Sequence, residues 1–164
     1  MTESPLTFDQ VAERYRSELL AYLIRMLGEA HDAEDACQDA LLGAYRAFGR
    51  LAPDSNTRAW LYKIATNTAL NTLKRRKRRE ANQVDVDLER IPDDAHATIE
   101  QREQLRVVAR AVEDLPPKQR AALMMRRFQD LSYAEIAAAL GGSEAAARAN
   151  VYQAIRQLRR VLSE

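Results

Sequence analysis

Apolar residues recur at steps of three and four along most of this 164-residue chain, and that spacing is typical of amphipathic helices. The first stripe comprises Phe8, Val11, Tyr15, Leu19, Leu23 and Met26. Thr7 and Gln10 have the spacing of a capping box before this stripe, and Gly28 supplies a stop after it. No segment alternates apolar and polar residues as a strand does, so the predicted fold class is all-α.

Two further helices are predicted in the first half of the chain. Asp32 is the predicted N-cap of the second helix, in which Cys37 and Tyr45 are predicted to face inward. A third helix is predicted from about Thr57 into the basic run 74–79. From 80 to 97 the periodicity is lost and acidic residues dominate, which predicts a flexible acidic linker between two small helical domains, residues 1–79 and 98–164.

The second domain is predicted to end in a helix-turn-helix. Ser132 and Glu135 have the spacing of a capping box for a short helix that Gly141 and Gly142 end, and Ser143 is the predicted cap of a longer last helix. This arrangement resembles the DNA-binding unit whose second helix enters a major groove. The exposed face of the last helix would present Arg148, Tyr152, Gln153 and Arg156.

The net charge of +1 conceals four blocks of opposite sign. Residues 1–40 carry nine acidic and three basic residues, whereas 41–80 carry two acidic and ten basic residues. Residues 81–114 are again acidic, with nine acids and four bases, and 115–164 are basic, with eight bases and four acids. Two basic blocks separated by an acidic one indicate two surfaces that face polyanions.

Several functional classes are disfavoured by residue content. An apolar content of 46% excludes disorder throughout. One cysteine and two histidines are too few for a Cys/His zinc site, and no catalytic or phosphate-cradling motif occurs, so neither a metal, a cofactor nor an enzymatic activity is expected. No apolar run is long enough to span a membrane, and the start MTESPLTFDQ lacks the features of a signal peptide. We therefore expect a soluble, cytoplasmic protein without membrane insertion.

The third predicted helix is the strongest candidate for nucleic-acid binding. Its polar stripe comprises Lys63, Asn67, Asn71, Lys74 and Arg78. Amides bond base edges and cations hold phosphates, while the nearby Trp60 and Tyr62 are either base-stacking residues or part of the core. Six consecutive cations, 74–79, repel one another unless a polyanion is near. On the second helix, a polar face with an exposed leucine is a candidate partner surface.

Three segments in one order resemble bacterial sigma factors of the extracytoplasmic-function (ECF) group, the promoter-recognition subunits of RNA polymerase. They are DAEDACQDALLGAYRAF (32–48), TRAWLYKIATNTALNTLKRR (57–76) and LPPKQRAALMMRRFQDLSYAEIAAALGGS (115–143). The resemblance covers nearly the whole chain. It implies that 1–79 is the region 2 domain and that 98–164 is the region 4 domain.

The same resemblance implies partners and roles for individual residues. It assigns docking on core RNA polymerase to Asp32, Asp35, Gln38, Asp39, Leu42 and Arg46. It assigns recognition and melting of the minus-ten element to Asp54, Ser55, Asn56, Trp60, Lys63, Asn67, Asn71, Lys74, Arg75 and Arg78. Duplex promoter DNA and its non-template single strand are the implied nucleic acids, and an anti-sigma factor is the implied regulator.

The last helix departs from the family pattern. Family members usually carry Gly-Thr-Val and then a base, Ser and Arg after the serine cap, whereas this chain has EAAARAN at 144–150. We expect a minus-thirty-five element to be bound through Ser143, Arg148, Tyr152, Gln153 and Arg156, with atypical sequence or affinity. Two alternatives stay open: a stand-alone helix-turn-helix regulator, and a sigma mimic that sequesters an anti-sigma protein without binding DNA.

Overall fold

The computed structural model describes residues 4–82, 96 and 98–163, and this part of the chain contains helices and no strand. The helices are α1 (Phe8–Leu27), α2 (Ala30–Ala47), α3 (Thr57–Asn82), α4 (Ile99–Glu113), α5 (Pro117–Arg127), α6 (Tyr133–Leu140) and α7 (Glu144–Leu162), with a 3-10 turn at Phe48–Arg50. The predicted all-α class is confirmed. The prediction that the linker begins at residue 80 is wrong by three residues, because α3 continues to Asn82. Residues 83–95 and 97 of the predicted linker lie outside the described residues.

Local capping signals account for most helix ends. The boxes at Thr7 and Ser132 form as predicted, Gly28 and Gly141 end α1 and α6 with positive φ, and Ser143 caps α7. The predicted cap at Asp32 is wrong. Helix α2 begins earlier, at Ala30, because the Glu29 carboxylate accepts the N–H groups of both His31 and Asp32.

Helices α1, α2 and α3 pack on one another as an N-terminal half, and α4 to α7 pack as a C-terminal half. The two halves also touch, because α1 contacts α5 and α3 contacts α6, so one buried cluster runs through both. In the N-terminal half the Tyr22 and Tyr62 rings meet edge to face, and the Tyr22 hydroxyl lies 2.8 Å from the Thr66 hydroxyl. Burial raises the pKa of Tyr22, so this hydroxyl stays neutral.

Candidate nucleic-acid interface

Helix α3 separates its apolar and polar residues onto two faces. Leu61, Ala65 and Ala69 are buried against the N-terminal half. The predicted nucleic-acid residues Lys63, Asn67, Asn71, Lys74, Arg75 and Arg78 are all exposed. The stripe of amides and cations is therefore available to a partner along several helical turns.

The aromatic residues at the start of α3 belong to the core. Trp60 is half-buried, and its ring lies 6.4 Å from that of Phe48. Tyr62 is fully buried and donates its hydroxyl hydrogen to Glu18 at 2.8 Å. The hypothesis that Tyr62 stacks on bases is wrong for this arrangement, because its ring has no exposed face. Trp60 is partly exposed.

The basic run contains one cation that the fold itself uses. The Arg76 guanidinium donates to the Asp32 carboxylate at 3.0 and 2.5 Å and to the carbonyl oxygen of Leu27 at 2.6 Å. It thereby joins α3 to α2 and to the C-terminal end of α1, where a positive charge complements the helix dipole. The run therefore divides into a structural arginine and exposed neighbours that remain available to a polyanion.

The predicted polymerase-docking residues lie on the outer side of α2. Asp35, Gln38, Asp39, Leu42 and Arg46 are exposed, whereas Asp32 is half-buried because it pairs with Arg76. A cleft of about 320 Å³ lies between α2 and the end of α3, with carboxylates on one wall and guanidinium groups on the other. A second cleft, of about 480 Å³, is lined by Asp39, Thr68, Asn71, Lys74, Arg75 and Arg78. The predicted docking and minus-ten surfaces are thus adjacent.

The loop before α3 holds three predicted base-reading residues in different states. Asp54 is exposed and Ser55 is half-buried. Asn56 caps α3, because its side-chain oxygen accepts the Ala59 N–H at 3.0 Å, and its amide nitrogen donates to the Glu135 carboxylate at 3.2 Å. Each end of the Asn56 amide thus makes one hydrogen bond, while the residue stays exposed and keeps a second N–H and a second lone pair for a partner.

The predicted minus-thirty-five residues share the exposed face of α7. Arg148, Tyr152, Gln153 and Arg156 are exposed, and Ser143 is occupied as the N-cap of the helix. Gln153 also accepts a hydrogen bond from the Gln119 side chain at 3.0 Å. Among the positions that depart from the family pattern, Ala145, Ala146 and Ala149 are exposed and Ala147 is buried. The exposed face of α7 therefore carries few polar side chains near its start.

Two residues that the sequence reasoning missed extend this face. The guanidinium of Arg148 lies 4.9 Å from the centre of the Tyr133 ring, and that of Arg126 lies 4.3 Å from it. Tyr133 is the first residue of α6 and Arg126 lies in the last turn of α5, so their proximity to Arg148 depends on tertiary packing. Two cations on one aromatic ring at the start of a helix form a positively charged corner of the helix-turn-helix.

Comparison with known proteins identifies the two halves separately. The model of "Sigma-70 region 2" matches residues 11–79, and the model of "Sigma-70, region 4" matches residues 105–158. RNA polymerase sigma-H factor of Pseudomonas aeruginosa is 35% identical over 90% of this chain and 81% of its own length. The chain belongs to the RNA polymerase sigma factors of the ECF group.

Other relatives agree with this family assignment. ECF RNA polymerase sigma factor SigG of Mycobacterium tuberculosis is 36% identical over 94% of this chain, which spans about half, 48%, of the length of SigG. The sigma factor RpoE of Bartonella quintana, solved in complex with the anti-sigma factor NepR, superposes with a TM-score of 0.75 at 24% identity and covers 95% of this chain and 96% of its own. The two-domain helical fold of ECF sigma factors is therefore shared by this chain.

Within the described residues, no cluster of His, Cys, Asp and Glu has the arrangement of a metal site. No helix in that part of the chain is long and apolar enough to cross a membrane.

Proposed function

We propose that this ECF sigma factor directs promoter-specific initiation of transcription as a subunit of RNA polymerase. Sigma factors are transcription regulators rather than enzymes, so its contribution is binding: it docks on core polymerase, recognises the minus-thirty-five and minus-ten elements and opens the duplex. The observation that carries this proposal is the exposed stripe of Lys63, Asn67, Asn71, Lys74 and Arg78 on a helix whose opposite face is fixed in the core.

Melting requires that the sigma factor bind the separated strand more tightly than the duplex. Unpairing a base costs a few kcal/mol and is cheapest at flexible A·T-rich steps. Asn67 and Asn71 offer amides to base edges of the non-template strand, while Lys74, Arg75 and Arg78 hold its phosphates. The first domain of the sigma factor, residues 1–79, would thus compensate the cost of opening by contacts that only the separated strand can make.

The exposed faces of α2 and α7 would bind core polymerase and duplex DNA, respectively. Asp35, Gln38, Asp39, Leu42 and Arg46 on α2, with Asp32 at its start, would dock on core polymerase. The second domain, residues 98–164, would bind duplex DNA at the minus-thirty-five element, with Arg148, Tyr152, Gln153 and Arg156 facing the groove and Ser143 fixing the start of α7. Arg126 and Tyr133 add the positively charged corner described above, which suits a backbone phosphate. The acidic linker, residues 80–97, would follow a basic channel of the polymerase.

Control by an anti-sigma factor belongs to the same proposal. The Bartonella quintana relative was solved with the anti-sigma factor NepR, and this chain shares its fold. Initiation takes place where the polymerase and the chromosome are, so we propose a cytoplasmic location.

Reconstitution with core polymerase and a randomised promoter library tests the proposal. We expect open complexes, detected by permanganate reactivity of unpaired thymines, and transcripts from a subset of promoters. A stand-alone regulator would instead bind duplex DNA tightly as a dimer without polymerase. A sigma mimic would bind an anti-sigma protein and yield no transcript. Failure to form open complexes on every promoter would refute the proposed function.

A further inference from the structure

The cleft of about 480 Å³ between α2 and α3 carries groups of several kinds, and we call it the Asp39 cleft. Its size is that of a small-ligand site. One wall holds the Asp39 carboxylate of α2, and the other follows α3 with a hydroxyl, an amide and three cations: Thr68, Asn71, Lys74, Arg75 and Arg78. Asp39 disfavours a ligand that is anionic throughout, and the cations disfavour one that is cationic throughout. The cleft therefore suits a ligand with an anionic part and an uncharged part that donates hydrogen bonds.

The carboxylate and the cations of the Asp39 cleft do not neutralise one another. All four charged side chains are exposed. Among the residues that the structure describes, Asp39 forms no ion pair with any of the three cations. In the neighbouring cleft, by contrast, Asp32 and Arg76 pair at 2.5 Å. The charges around the Asp39 cleft are therefore available to a ligand that lies between them.

Thr68 presents an acceptor rather than a donor to the Asp39 cleft. Its hydroxyl hydrogen is donated to the Ile64 carbonyl at 2.9 Å, so the lone pairs of its oxygen are what it offers a ligand. The ionised carboxylate of Asp39 also only accepts hydrogen bonds. The amide of Asn71, one helical turn after Thr68, both donates and accepts. This end of the cleft therefore favours a ligand that brings more donors than acceptors.

The cations lie further along α3 than the acceptors. Lys74 and Arg75 follow Asn71 by about one turn and Arg78 follows it by about two, which places the positive charge about 5–10 Å beyond the amide along the helix axis. Cations of this kind hold phosphates. A nucleotide has the same layout, because the sugar separates its base from its phosphate.

Guanine is the base whose edge best matches the acceptors. Its N1–H and N2–H2 groups lie side by side, and two parallel donors suit the two oxygens of a carboxylate. Cytosine and adenine place one amino group beside an acceptor nitrogen, and thymine places one N–H between two carbonyl oxygens. Each of these would bring an acceptor towards Asp39 or Thr68, and a pair of facing acceptors leaves both without hydrogen bonds. The acceptors of the cleft therefore select guanine.

We propose that the Asp39 cleft binds a guanine nucleotide, in which Asp39 and Thr68 accept the N1–H and N2–H2 hydrogens of the base and the three cations hold its phosphate. The same unit occurs in the non-template strand and in a free guanosine phosphate. For the strand the inference rests on the proposed function, and it names a base that the first domain selects. Of the predicted docking residues only Asp39 lines this cleft, so the rest of that face of α2 stays available to core polymerase.

Binding of short oligonucleotides to the chain without polymerase tests the inference. The probes are fluorescent dT oligonucleotides of one length whose central base is thymine, guanine, cytosine, adenine or hypoxanthine, and anisotropy measures their affinities. We expect the guanine probe to bind about tenfold more tightly than the thymine probe, near the lower end of what one bidentate base contact provides. Hypoxanthine differs from guanine by the absence of the N2 amino group, so its probe should lose most of this gain.

Competition separates the two sources of the nucleotide. Unlabelled GMP and AMP, which carry the same phosphate, are added to the complex with the guanine probe. Displacement by GMP at concentrations at which AMP has no effect would identify a free guanosine phosphate as a ligand. A preference for the guanine probe without displacement by either would identify the strand. Equal affinities of all five probes, together with no selective displacement by GMP, would overturn the guanine site.

Asp39→Asn keeps the shape of the side chain and removes its charge. Loss of a negative charge beside the cations should raise the affinity for the thymine probe, whereas the preference for guanine should disappear because the new amide N–H groups face the donors of the base. The two effects have opposite directions, so a general change in charge or folding does not imitate them. Glu34→Gln, an equivalent change on α2 outside both clefts, is the matched control and should keep the preference for guanine.

Thr68→Val provides a second variant, which keeps the shape of the side chain and removes the acceptor oxygen. It should reduce the preference for guanine over hypoxanthine, because the N2 amino group loses a partner. Unchanged preference for guanine in both variants, with helical circular dichroism showing that they fold, would overturn the proposed site. Because none of these measurements uses polymerase, absence of transcripts in reconstitution would count against the proposed function and leave a measured guanine preference standing.

Discussion

Arg76 and Arg75 are neighbours in the basic run, but they differ in their contacts and in their exposure. Arg76 bonds Asp32 and the Leu27 carbonyl, whereas Arg75 is exposed and donates to the Thr72 hydroxyl at 3.3 Å. Changing each in turn to methionine keeps an unbranched apolar stem and removes one positive charge. The pair therefore separates stability from DNA binding at adjacent positions.

The cost of Arg76→Met follows from the exposure of the ion pair. Breaking a fully buried pair costs about 3–5 kcal/mol, and an exposed pair contributes about 0–1 kcal/mol. The Arg76 side chain is 15% exposed, but that of Asp32 is 38% exposed, so water reaches the carboxylate where the guanidinium has been removed. Adding the lost bond to Leu27, we expect a loss of about 2 kcal/mol and a fall in Tm of about 4–8 °C.

Arg75→Met should stay within about 0.5 kcal/mol of the parent in stability. Its effect should appear in DNA binding, where each single-strand phosphate contact contributes about 0.7 to the slope of log K against log salt. Urea denaturation of the free chain measures the stabilities. Titration of polymerase holoenzyme with promoter DNA at several salt concentrations measures the slopes.

Equal stability losses in the two variants would refute the division of the basic run. So would a change in salt slope for Arg76→Met as large as that for Arg75→Met. Asp32→Asn, combined with Arg76→Met, completes a double-mutant cycle, and the coupling should account for most of the loss.

Three further outcomes are expected. Asn67→Ala should weaken promoter melting, seen as permanganate reactivity, while the affinity for core polymerase is unchanged; a loss of core affinity would contradict the assigned role. Tyr22→Phe should lower the free energy of unfolding by about 1 kcal/mol, because it leaves the buried Thr66 hydroxyl without its partner, and urea denaturation measures this. Burial raises the pKa of Glu135, but hydrogen bonds from the Ser132 N–H and the Asn56 amide outweigh it and hold the pKa below 4.5. A depressed carboxyl pKa stabilises the fold at pH values above the unfolded pKa of 4.5, and this contribution is lost as pH falls through the folded pKa. Glu135→Gln should therefore flatten the acid side of a plot of the free energy of unfolding against pH. An unaltered plot would refute this assignment.

Sequence reasoning succeeded where a signal and its consequence lie within a few residues. The capping box at Ser132, the αL stop at Gly141 and the stripe that includes Asn67 follow from local geometry, and the structure places them as predicted. It failed at Asp32, because Glu29 also caps a helix when its longer side chain folds back onto the first N–H groups. Tyr45, predicted to face inward, is 64% exposed, although its ring still meets Phe8.

Contacts between the halves had no comparable signal. Gln129 bonds Glu18 and Arg25 across separations of 111 and 104 residues, and a glutamine before an aspartate is an ordinary turn sequence. The sequence predicts the capping box that Glu135 completes, but it does not predict that Glu135 also bonds Asn56. A carboxylate that takes part in a local motif still has lone pairs that can accept hydrogen bonds from distant residues. Such roles depend on the relative placement of whole helices.

Helix α3 is a single rod of 26 residues, about 39 Å long, and its two ends have different surroundings. Buried Leu61 and Ala69 fix the rotation of the first part of the helix about its axis. Because the helix is continuous, this rotation also sets the directions of the cations after Leu73. One residue inserted after Leu73 would turn the basic run by about 100° and carry Arg76 away from Asp32. This helix can therefore tolerate the exchange of one cation for another far more easily than the insertion or deletion of a residue. The rotation of each side chain about the helix axis sets which cations pair within the fold and which would face the DNA strand.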